Sequence, residues 1–336
     1  MSIVSITIAA KNEEKNIAKS LGSALNQSYS PIEIFLIDDT SADKTVEVAE
    51  QVYESFISSP SRSTPRFSII SNEKNLGFGG SHNVGIRRAK GDFVLCLNAD
   101  CELDKDYVKY AVEVFWQNKT IGAVQGKLKN PRTGKLDTTG LLIFKNRRVI
   151  NRGQGEDDRG QFESLEETWG VDGAAPMYRR AMLEDVRIGE EYFDQDFFAY
   201  KEDIDLSWRM RLAGWKCFYQ PKSVAYHDRS AGEGTKRNPL EIIRERRKIS
   251  EFAKFHSFAN QRLMQIKNEM PRLFLKYFLQ ISVKEFMAWP YVLVFEKYGW
   301  KSVVEFFRLL PRTWRKRRYV MAKRRVSDEE MEKWLF

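Results

Sequence analysis

Four short runs of β-branched and aromatic residues recur in the first hundred positions, separated by stretches with helical spacing. The runs are Ser2–Ala9, Ile32–Ile37, Phe67–Ile70 and Phe93–Leu97. After the first run, apolar residues recur at helical spacing between Ile17 and Leu25. Because strands that alternate with helices pair in parallel, this order predicts an α/β protein with a mostly parallel, doubly wound sheet and flanking helices.

Each of the four runs ends in a polar cluster. The clusters are Lys11-Asn12-Glu13, Asp38-Asp39, Asn72 to Asn75 and Asn98-Ala99-Asp100. Ligands of open α/β sheets bind beyond the carboxyl ends of the strands, so the four clusters are expected to meet in one crevice. Asn, Asp and Gly also favour turns, and that alternative accounts for any single cluster. Four clusters in succession favour a binding site.

Several short motifs follow one another over residues 1–230. They are Val4–Ile8 with Asn12-Glu13, Ile37–Ser41, Asn75–Gly80 with Asn83-Val84-Gly85, Leu97–Asp100, and Phe197–Leu206 with Arg209 and Gly214-Trp215. The ordered set resembles the family 2 glycosyltransferases, and the most similar subgroup is the rhamnosyltransferase-like enzymes of envelope polysaccharide assembly. The resemblance implies a GT-A fold, which is a Rossmann-like nucleotide-diphospho-sugar transferase fold, and sugar transfer with inversion.

The resemblance also implies where the nucleotide lies. It assigns the base to Asp38 or Asp39, with Ala10 and Asn12 lining the pocket. A carboxylate accepts the imide N–H that uracil and thymine share, so the expected donor is a UDP-sugar or a dTDP-sugar. A single carboxylate does not distinguish these two bases.

A diphosphate leaving group calls for a divalent cation, Mg²⁺ or Mn²⁺, which prefers oxygen ligands with occasional imidazole. Asp100 is the first expected ligand, and Asn98 stands where the family has an acidic residue, so contact through water or the ribose stays open. His227 matches a metal-binding histidine of some relatives, with a packed or surface histidine as the alternative. Lys74 and Asn75 are expected near the ribose or diphosphate.

Direct displacement needs a base that takes the proton of the acceptor hydroxyl. Glu202, Asp203 and Asp205 are candidates, and the motif favours Asp203. An acidic helix start stabilised by the macrodipole is the structural alternative. It does not explain the preceding aromatic run, Phe197–Tyr200, which suits an apolar wall beside the acceptor. Asp172 matches a family position near the donor sugar and the acceptor.

The chain is expected to divide into a catalytic domain, residues 1–235, and a C-terminal helical extension, residues 236–336. The catalytic domain would comprise a nucleotide-sugar half, about 1–125, and an acceptor half, about 126–235. Residues 130–168 are expected to form a loop or small hairpin over the site. Strands are expected at Lys216–Tyr219 and in a second short segment that ends at His227.

The net charge of +9 comes from the last third of the chain, because residues 231–336 contain 24 basic and 12 acidic side chains. Eight basic residues and no acidic residue lie between Arg312 and Arg325. With Trp289, Tyr298 and Trp300, this composition favours helices lying on an anionic membrane surface. The interrupted apolar pattern makes a spanning helix improbable. The alternative is a helical hairpin packed on the catalytic domain or on a second subunit, which leaves a homodimer open.

The three cysteines, Cys96, Cys101 and Cys217, form no CxxC pair, which favours a reducing compartment. A strand-like start, Ile3–Ile8, predicts core rather than signal peptide. The expected location is therefore cytoplasmic, peripheral on the inner face of the cytoplasmic membrane. The resemblance implies a lipid-linked acceptor there, a polyprenyl-diphosphate-linked saccharide, or else a polysaccharide.

Four other functions or folds are compatible with parts of the sequence. A polyprenyl-phosphate sugar synthase shares the fold but usually has a more acidic DxD-type motif. A nucleic-acid binder would use the basic tail but leaves the slightly acidic first 230 residues unexplained, so no nucleic-acid partner is expected. A catalytically dead nucleotide-binding scaffold is disfavoured by Asp100 and Asp203. A dinucleotide fold would need glycine where His82 stands.

Overall fold

The computed structural model describes residues 2–58, 65–228, 244 and 246–336. The strands are β1 (Val4–Ala10), β2 (Ile32–Asp38), β3 (Arg66–Ser71), β4 (Phe93–Asn98), β5 (Cys101–Leu103), β6 (Ile121–Lys129), β7 (Leu136–Thr138), β8 (Leu141–Ile143), β9 (Val149–Asn151), β10 (Glu166–Thr168), β11 (Met177–Arg179) and β12 (Lys216–His227). The helices are α1 (Ile17–Leu25), α2 (Thr45–Ile57), α3 (Gly77–Arg88), α4 (Tyr107–Gln117), α5 (Arg180–Val186), α6 (Glu202–Leu212), α7 (Glu251–Asn268), α8 (Pro271–Lys276), α9 (Phe278–Phe295), α10 (Gly299–Ala322) and α11 (Asp328–Glu332).

The main sheet has the strand order β10-β12-β6-β11-β4-β1-β2-β3, with β5 beside β12 and β7 beside β6. The pairs β1–β2, β1–β4, β2–β3 and β6–β12 are parallel. Strand β11 is antiparallel to both of its neighbours, β4 and β6. The expected mostly parallel sheet is confirmed, and the polar clusters after β1, β2, β3 and β4 lie at the same edge.

Helices cover both faces of the sheet. Side chains alternate along β2, where Ile34 and Leu36 face one apolar core and Phe35 and Ile37 face the other. Helices α1, α2 and α4 contribute to the first core, and α3, α5 and α6 contribute to the second. Both faces of the sheet are therefore covered by buried apolar side chains, as a doubly wound sheet requires.

The acceptor half contains a separate hairpin, β8–β9, and the long strand β12. The hairpin expected within residues 130–168 is present, because β8 and β9 pair in a separate two-stranded sheet. The prediction of two short strands before His227 is wrong, because β12 runs unbroken from Lys216 to His227. Its register against β6 shifts between Gln220 and Val224. Pro221 lies in this bulge, where its missing N–H removes no ladder hydrogen bond.

The C-terminal helices pack against α6 and the β8–β9 hairpin through a third apolar core. Arg147, after β8, forms two hydrogen bonds of 2.7 and 2.9 Å with the Glu269 carboxylate, and both side chains are buried. At the far end of the chain, Leu335 forms a parallel bridge with Ile143. These helices therefore pack on the preceding part of the chain, as the alternative to membrane association predicts.

Most of the basic residues between Arg312 and Arg325 bond to protein groups. Lys316 is buried among Glu191, Asp194 and Asp196. The others with protein partners are Arg312, Arg317, Lys323, Arg324 and Arg325. Counts of charged residues in the sequence do not reveal these internal partners. Across the described ranges, we find no helix with the length and apolarity needed to cross a bilayer.

Candidate active site

A cavity of about 320 Å³ lies beyond the carboxyl end of β4. The start of α6, the β8–β9 hairpin and the first turns of α7 form its other walls. The structure brings together here six of the predicted site residues, which are Asn98, Asp100, Asp172, Glu202, Asp203 and His227.

Asp100 and His227 face each other at this cavity. The imidazole Nε2 lies 3.5 Å from Oδ1 of Asp100, and Nδ1 lies 2.8 Å from Oδ2 of Asp137. Asp137 is buried, so its carboxylate fixes the orientation of the ring and directs Nε2 toward the cavity. Sequence analysis did not identify Asp137. No signal in the chain marks it, because only the pairing of β7 with β6 brings it to the histidine.

Asn98 is the last residue of β4, and its main chain is anchored. Its N–H donates to the carbonyl of Ala174 at 2.8 Å, and its carbonyl accepts from the Ser20 hydroxyl at 3.0 Å. The side-chain Oδ1 is buried and, among the described residues, has no hydrogen-bond donor. A buried oxygen of this kind normally bonds to a ligand, an ion or water. A carboxylate, an imidazole and this amide oxygen are a donor set that suits a hard divalent cation.

Glu202 and Asp203 form the first turn of α6. The carboxylate of Asp203 accepts from the N–H of Gly173 at 2.9 Å and from the N–H of Ile204 at 2.8 Å. Burial and the charge of Asp172 raise the pKa of Asp203 to about 6. Burial and the charge of Asp203 raise the pKa of Glu202 to about 8. At neutral pH one acid is therefore largely protonated and the other ionised, the pairing expected of an acid–base site.

Asp172 and Asp205 differ in their surroundings. The N–H of Asp172 donates to the Gln125 side chain at 2.7 Å, which fixes the turn before Gly173. Asp205 is fully buried and pairs with Arg209 and Lys267, both at 2.9 Å. Asp205 is thus part of a structural ion-pair network, and it is no longer a candidate for the base.

The backbone before α6 has an unusual conformation. Phe198, Tyr200 and Lys201 have φ angles of 57°, 67° and 78°. Non-glycine residues rarely adopt positive φ, and such strain is held in place by the surrounding structure. The predicted aromatic wall is present in part, because Ala199 and Tyr200 line the cavity whereas Phe197 packs in the third core.

The remaining predicted residues lie at the ends of β1, β2 and β3. The described residues that line the cavity do not include Ala10, Asn12, Asp38, Asp39, Lys74 or Asn75. Asp39 is held by the N–H groups of Leu76 and Gly77, at 2.8 and 2.9 Å, and by the Asn72 amide. Asp38 Oδ1 accepts from the N–H of Ser41 at 3.2 Å.

Three further predicted residues have local structural partners. The Asn12 side chain accepts from the N–H of Ala42, and the Asn75 side chain accepts from the N–H of Gly77. Ala10 accepts from the N–H of Asp39 at 2.8 Å, which joins the ends of β1 and β2. Lys74 and Asn75 are exposed beside this strand edge.

Helix α7 adds residues to the cavity that sequence analysis missed. Phe252, Lys254 and Ser257 line it from the C-terminal side. The rings of Phe252 and Tyr200 are 6.2 Å apart. The sequence separation of more than fifty residues hides this proximity, because the fold alone brings α7 to the start of α6.

A mostly parallel α/β sheet with carboxylate, amide and imidazole groups beyond its strand ends is typical of α/β proteins that bind a ligand at this edge. Residues 5–187, more than half of the chain, match the model of glycosyl transferase family 2. The chain belongs to this family, as its motifs predict.

Curated relatives with similar sequences include poly-β-1,6-N-acetyl-D-glucosamine synthases. The Staphylococcus epidermidis protein is 28% identical over 227 residues, which cover 66% of this chain and 49% of that protein. The Staphylococcus aureus (strain COL) protein is 27% identical over the same length and shares of coverage. The chain thus spans about half the length of the curated relatives it matches.

Solved structures support the fold. Staphylococcus aureus TarS matches 96% of this chain and 53% of its own, with a TM-score of 0.57 and 18% identity. The Pyrobaculum calidifontis mannosyltransferase PcManGT, solved with GDP-Man and Mn²⁺, matches 95% of this chain and 85% of its own, with a TM-score of 0.53 and 15% identity. The GT-A fold expected from the motifs is confirmed.

Proposed function

We propose that this chain catalyses inverting, metal-dependent transfer of a sugar from a nucleoside-diphosphate donor to an acceptor hydroxyl. One observation carries the proposal. A single cavity contains a carboxylate–imidazole pair, Asp100 with His227, and a separate acid pair, Glu202 with Asp203. The first pair suits the diphosphate, and the second suits the hydroxyl that attacks the sugar.

Asp203 is the proposed general base. Its pKa of about 6 leaves it mostly ionised at neutral pH, so it can accept the proton of the acceptor hydroxyl. The hydrogen bond from the N–H of Gly173 holds one carboxylate oxygen in place. Asp172, beside Gly173, is proposed to lie near the transferred sugar. Glu202, protonated at neutral pH, can donate a hydrogen bond to a substrate oxygen.

Asp100 and His227 would hold Mg²⁺ or Mn²⁺, with the Asn98 amide oxygen as a further ligand. The described residues contain no cluster of three or more His, Cys, Asp or Glu side chains fit for a metal. Phosphate oxygens of the donor would therefore complete the coordination, as is common for Mg²⁺. When bound, the ion neutralises charge on the leaving diphosphate. The mannosyltransferase PcManGT, of the same fold, was solved with Mn²⁺.

The proposed donor is a UDP-sugar or dTDP-sugar. Asp38 is the better placed of the two candidate carboxylates for the base, because Asp39 already accepts three N–H groups. TarS was solved with UDP and with UDP-GlcNAc, which supports including UDP-GlcNAc among the donors to be tested. Rhamnose remains the donor sugar that the subgroup resemblance favours.

The proposed acceptor is a polyprenyl-diphosphate-linked saccharide or a polysaccharide, met at an anionic membrane surface. Support comes from α9, which exposes large apolar side chains. Leu279 is 72% exposed, Phe286 81% and Phe295 73%. The next helix, α10, has exposed cations such as Arg315 and Arg318, and exposed apolar helix residues together with cations are typical of interfacial binding.

Release of nucleoside diphosphate tests the proposal. We would assay the full chain with UDP-GlcNAc, UDP-glucose and dTDP-rhamnose, each with Mn²⁺ or with EDTA. Two acceptors, a polyprenyl-diphosphate saccharide and a polyprenyl phosphate, separate the proposed reaction from a polyprenyl-phosphate sugar synthase. We expect Mn²⁺-dependent turnover with the first acceptor, and we expect Asp203→Asn to lower this turnover by at least about 100-fold. Turnover that survives both EDTA and Asp203→Asn would contradict the proposal.

A further inference from the structure

Asn260 lies in the middle of α7 and is 2% exposed. Its side-chain Nδ2 donates to three carbonyl oxygens, those of Phe197, Ala199 and Tyr200, each at 2.8 Å. An amide nitrogen has two hydrogens, so the three acceptors share them. The nitrogen of the amide can donate to these carbonyl groups and its oxygen cannot, so the contacts fix the orientation of the Asn260 side chain.

These carbonyl groups converge because of the strained backbone. Positive φ angles at Phe198, Tyr200 and Lys201 turn successive peptide groups away from any helical or strand ladder. The carbonyls of Ala199 and Tyr200 therefore need a partner from another part of the chain, whereas the carbonyl of Phe197 also accepts from the nearby N–H of Ala199. Asn260 provides it, from a helix more than fifty residues further along.

The segment that Asn260 holds leads directly into Glu202 and Asp203. Lys201 precedes α6, and its carbonyl accepts from the N–H of Asp205 at 2.8 Å. A shift of residues 197–201 would therefore move both acids of the cavity. One α-helical residue advances about 1.5 Å, so even a small slip is large on the scale of proton transfer.

Helix α7 also bonds to α6 on the C-terminal side of Asp203. Lys267, two turns after Asn260, is fully buried and lies 2.9 Å from the carboxylate of Asp205. Asn268 donates to the same carboxylate at 2.7 Å. The start of α6 is thus fixed by polar bonds to α7 before and after Asp203.

Aromatic packing also links α7 to the segment before α6, but it does not fix the orientation of the backbone groups. The His256 ring is stacked on Phe198, with ring centroids 5.4 Å apart. Apolar contacts of this kind tolerate sliding, whereas the three hydrogen bonds define where the carbonyl groups point. The bonds, rather than the stacking, set the backbone conformation.

We propose that Asn260 is a positioning residue that holds the strained segment 197–201 and thereby places Glu202 and Asp203 in the cavity. The structural part of this inference is independent of activity, and its catalytic part rests on the proposed function. On this account, the C-terminal helices contribute to the acceptor side of the site by fixing the position of its acids.

Asn260→Ala and Asn260→Ser test the inference, with Gln261→Ala as the matched control. Gln261 donates to the carbonyl of Arg147 at 2.9 Å, from the neighbouring position of the same helix, and does not bond to residues 197–201. Hydrogen exchange followed by mass spectrometry is measured on peptides covering residues 195–206 and on peptides covering Asp100. Calorimetry with UDP and Mn²⁺ and steady-state kinetics follow.

In Asn260→Ala we expect exchange in 195–206 to accelerate at least about tenfold, with the Asp100 peptides unchanged. We expect kcat to fall about 10- to 100-fold and nucleotide affinity to stay within about twofold, because only the acids are displaced. Asn260→Ser keeps one donor, should give intermediate values, and carries the test if Asn260→Ala does not fold. Gln261→Ala should match the wild type.

Unchanged exchange in 195–206 in a folded variant would overturn the inference. A parallel loss of kcat and nucleotide affinity, with faster exchange throughout α7, would indicate a general stabilising role and would also overturn it. If the wild type turns over no donor, the proposed function fails, and the exchange data alone decide whether Asn260 holds the segment.

Discussion

The Nε2 atom of His227 lies 3.5 Å from Oδ1 of Asp100, at the meeting point of two different strands. Asp100 follows β4, and His227 is the last residue of β12, where it pairs with Cys101 of β5. This short antiparallel pairing is what brings an imidazole and a carboxylate to the same side of the cavity. The proposed cation site thus depends on the sheet rather than on a local motif.

Asp137→Asn tests how the histidine is oriented. The Asp137 carboxylate, whose Oδ2 lies 2.8 Å from Nδ1 of His227, accepts a hydrogen bond from the ring, and a neutral amide holds the ring less firmly. We expect Mn²⁺ affinity to fall about 10- to 100-fold, as for other residues behind a metal-binding histidine. Isothermal calorimetry with Mn²⁺ and UDP measures this. Asp157→Asn, at an exposed ion pair with Lys135, makes the same chemical change elsewhere and should have no effect. Equal Mn²⁺ affinities in Asp137→Asn and Asp157→Asn would contradict the proposed cation site.

The pH dependence of turnover tests Asp203. Burial and the charge of Asp172 raise its pKa to about 6, so it loses its proton above that pH and can act as a base. We expect kcat at saturating donor to fall roughly tenfold per pH unit below about pH 6. Asp203→Asn should lower kcat by about 10²- to 10⁴-fold at pH 7.5. A rate that is constant from pH 5 to 8 would show that another group, or none, accepts the proton.

Glu202→Gln should stabilise the protein at alkaline pH. The folded pKa of Glu202, about 8, is above the ordinary value of 4.5, so its stabilising effect is present below pH 4.5 and is lost as pH rises through 8. Glutamine is neutral throughout. We expect the Tm of the variant to exceed that of the wild type by about 2–4 °C at pH 9. The difference should shrink toward pH 5, and a difference independent of pH would contradict the assignment.

Gly77 should tolerate no side chain. Its φ is +71°, and a Cβ atom would lie 2.1 Å from the carbonyl oxygen of Phe198. Gly134 has the same φ of +71° and open space around it, so Gly134→Ala isolates the cost of the backbone angle. We expect Gly134→Ala to lower the free energy of unfolding by about 1–2 kcal/mol and Gly77→Ala by clearly more. Urea denaturation gives both values, and equal losses would mean that the contact with residue 198 relaxes without cost.

Membrane association should depend on α9 more than on the basic stretch. Phe286 is 81% exposed there, whereas most cations between Arg312 and Arg325 bond to protein groups. We expect Phe286→Glu to reduce co-sedimentation with phosphatidylglycerol-containing vesicles at least about fivefold. Trp116→Glu changes an aromatic side chain that is 59% exposed on α4 and serves as the control. If vesicle binding is lost in 0.5 M salt but retained by Phe286→Glu, membrane association depends on the basic residues instead.

The sheet and part of the cavity could be predicted from the sequence because their signals are local, although of the four polar clusters only the one after β4 lines the cavity. Each strand ends in its own polar cluster, and the register of a parallel sheet aligns those ends at one edge. Position after a strand or at the start of a helix made Asp100, Asp203 and His227 candidates, and the family resemblance selected them; the structure places all three at the cavity.

The residues that support the site could not be predicted in this way. Asp137 reaches His227 only through the pairing of β7 with β6, and Asn260 reaches residues 197–200 only through the docking of α7. Neither residue type nor spacing marks such contacts. The internal partners of the basic stretch could not be predicted for a related reason, because those of Lys316 are more than a hundred residues away.

Calorimetry with UDP, dTDP and GDP, in Mn²⁺ and in EDTA, tests the central claim most directly. The account predicts that UDP or dTDP binds tightly only with Mn²⁺, and that Asp100→Ala and His227→Ala each remove this metal dependence. Binding of equal strength in EDTA, or no binding of any of the three nucleotides, would contradict it.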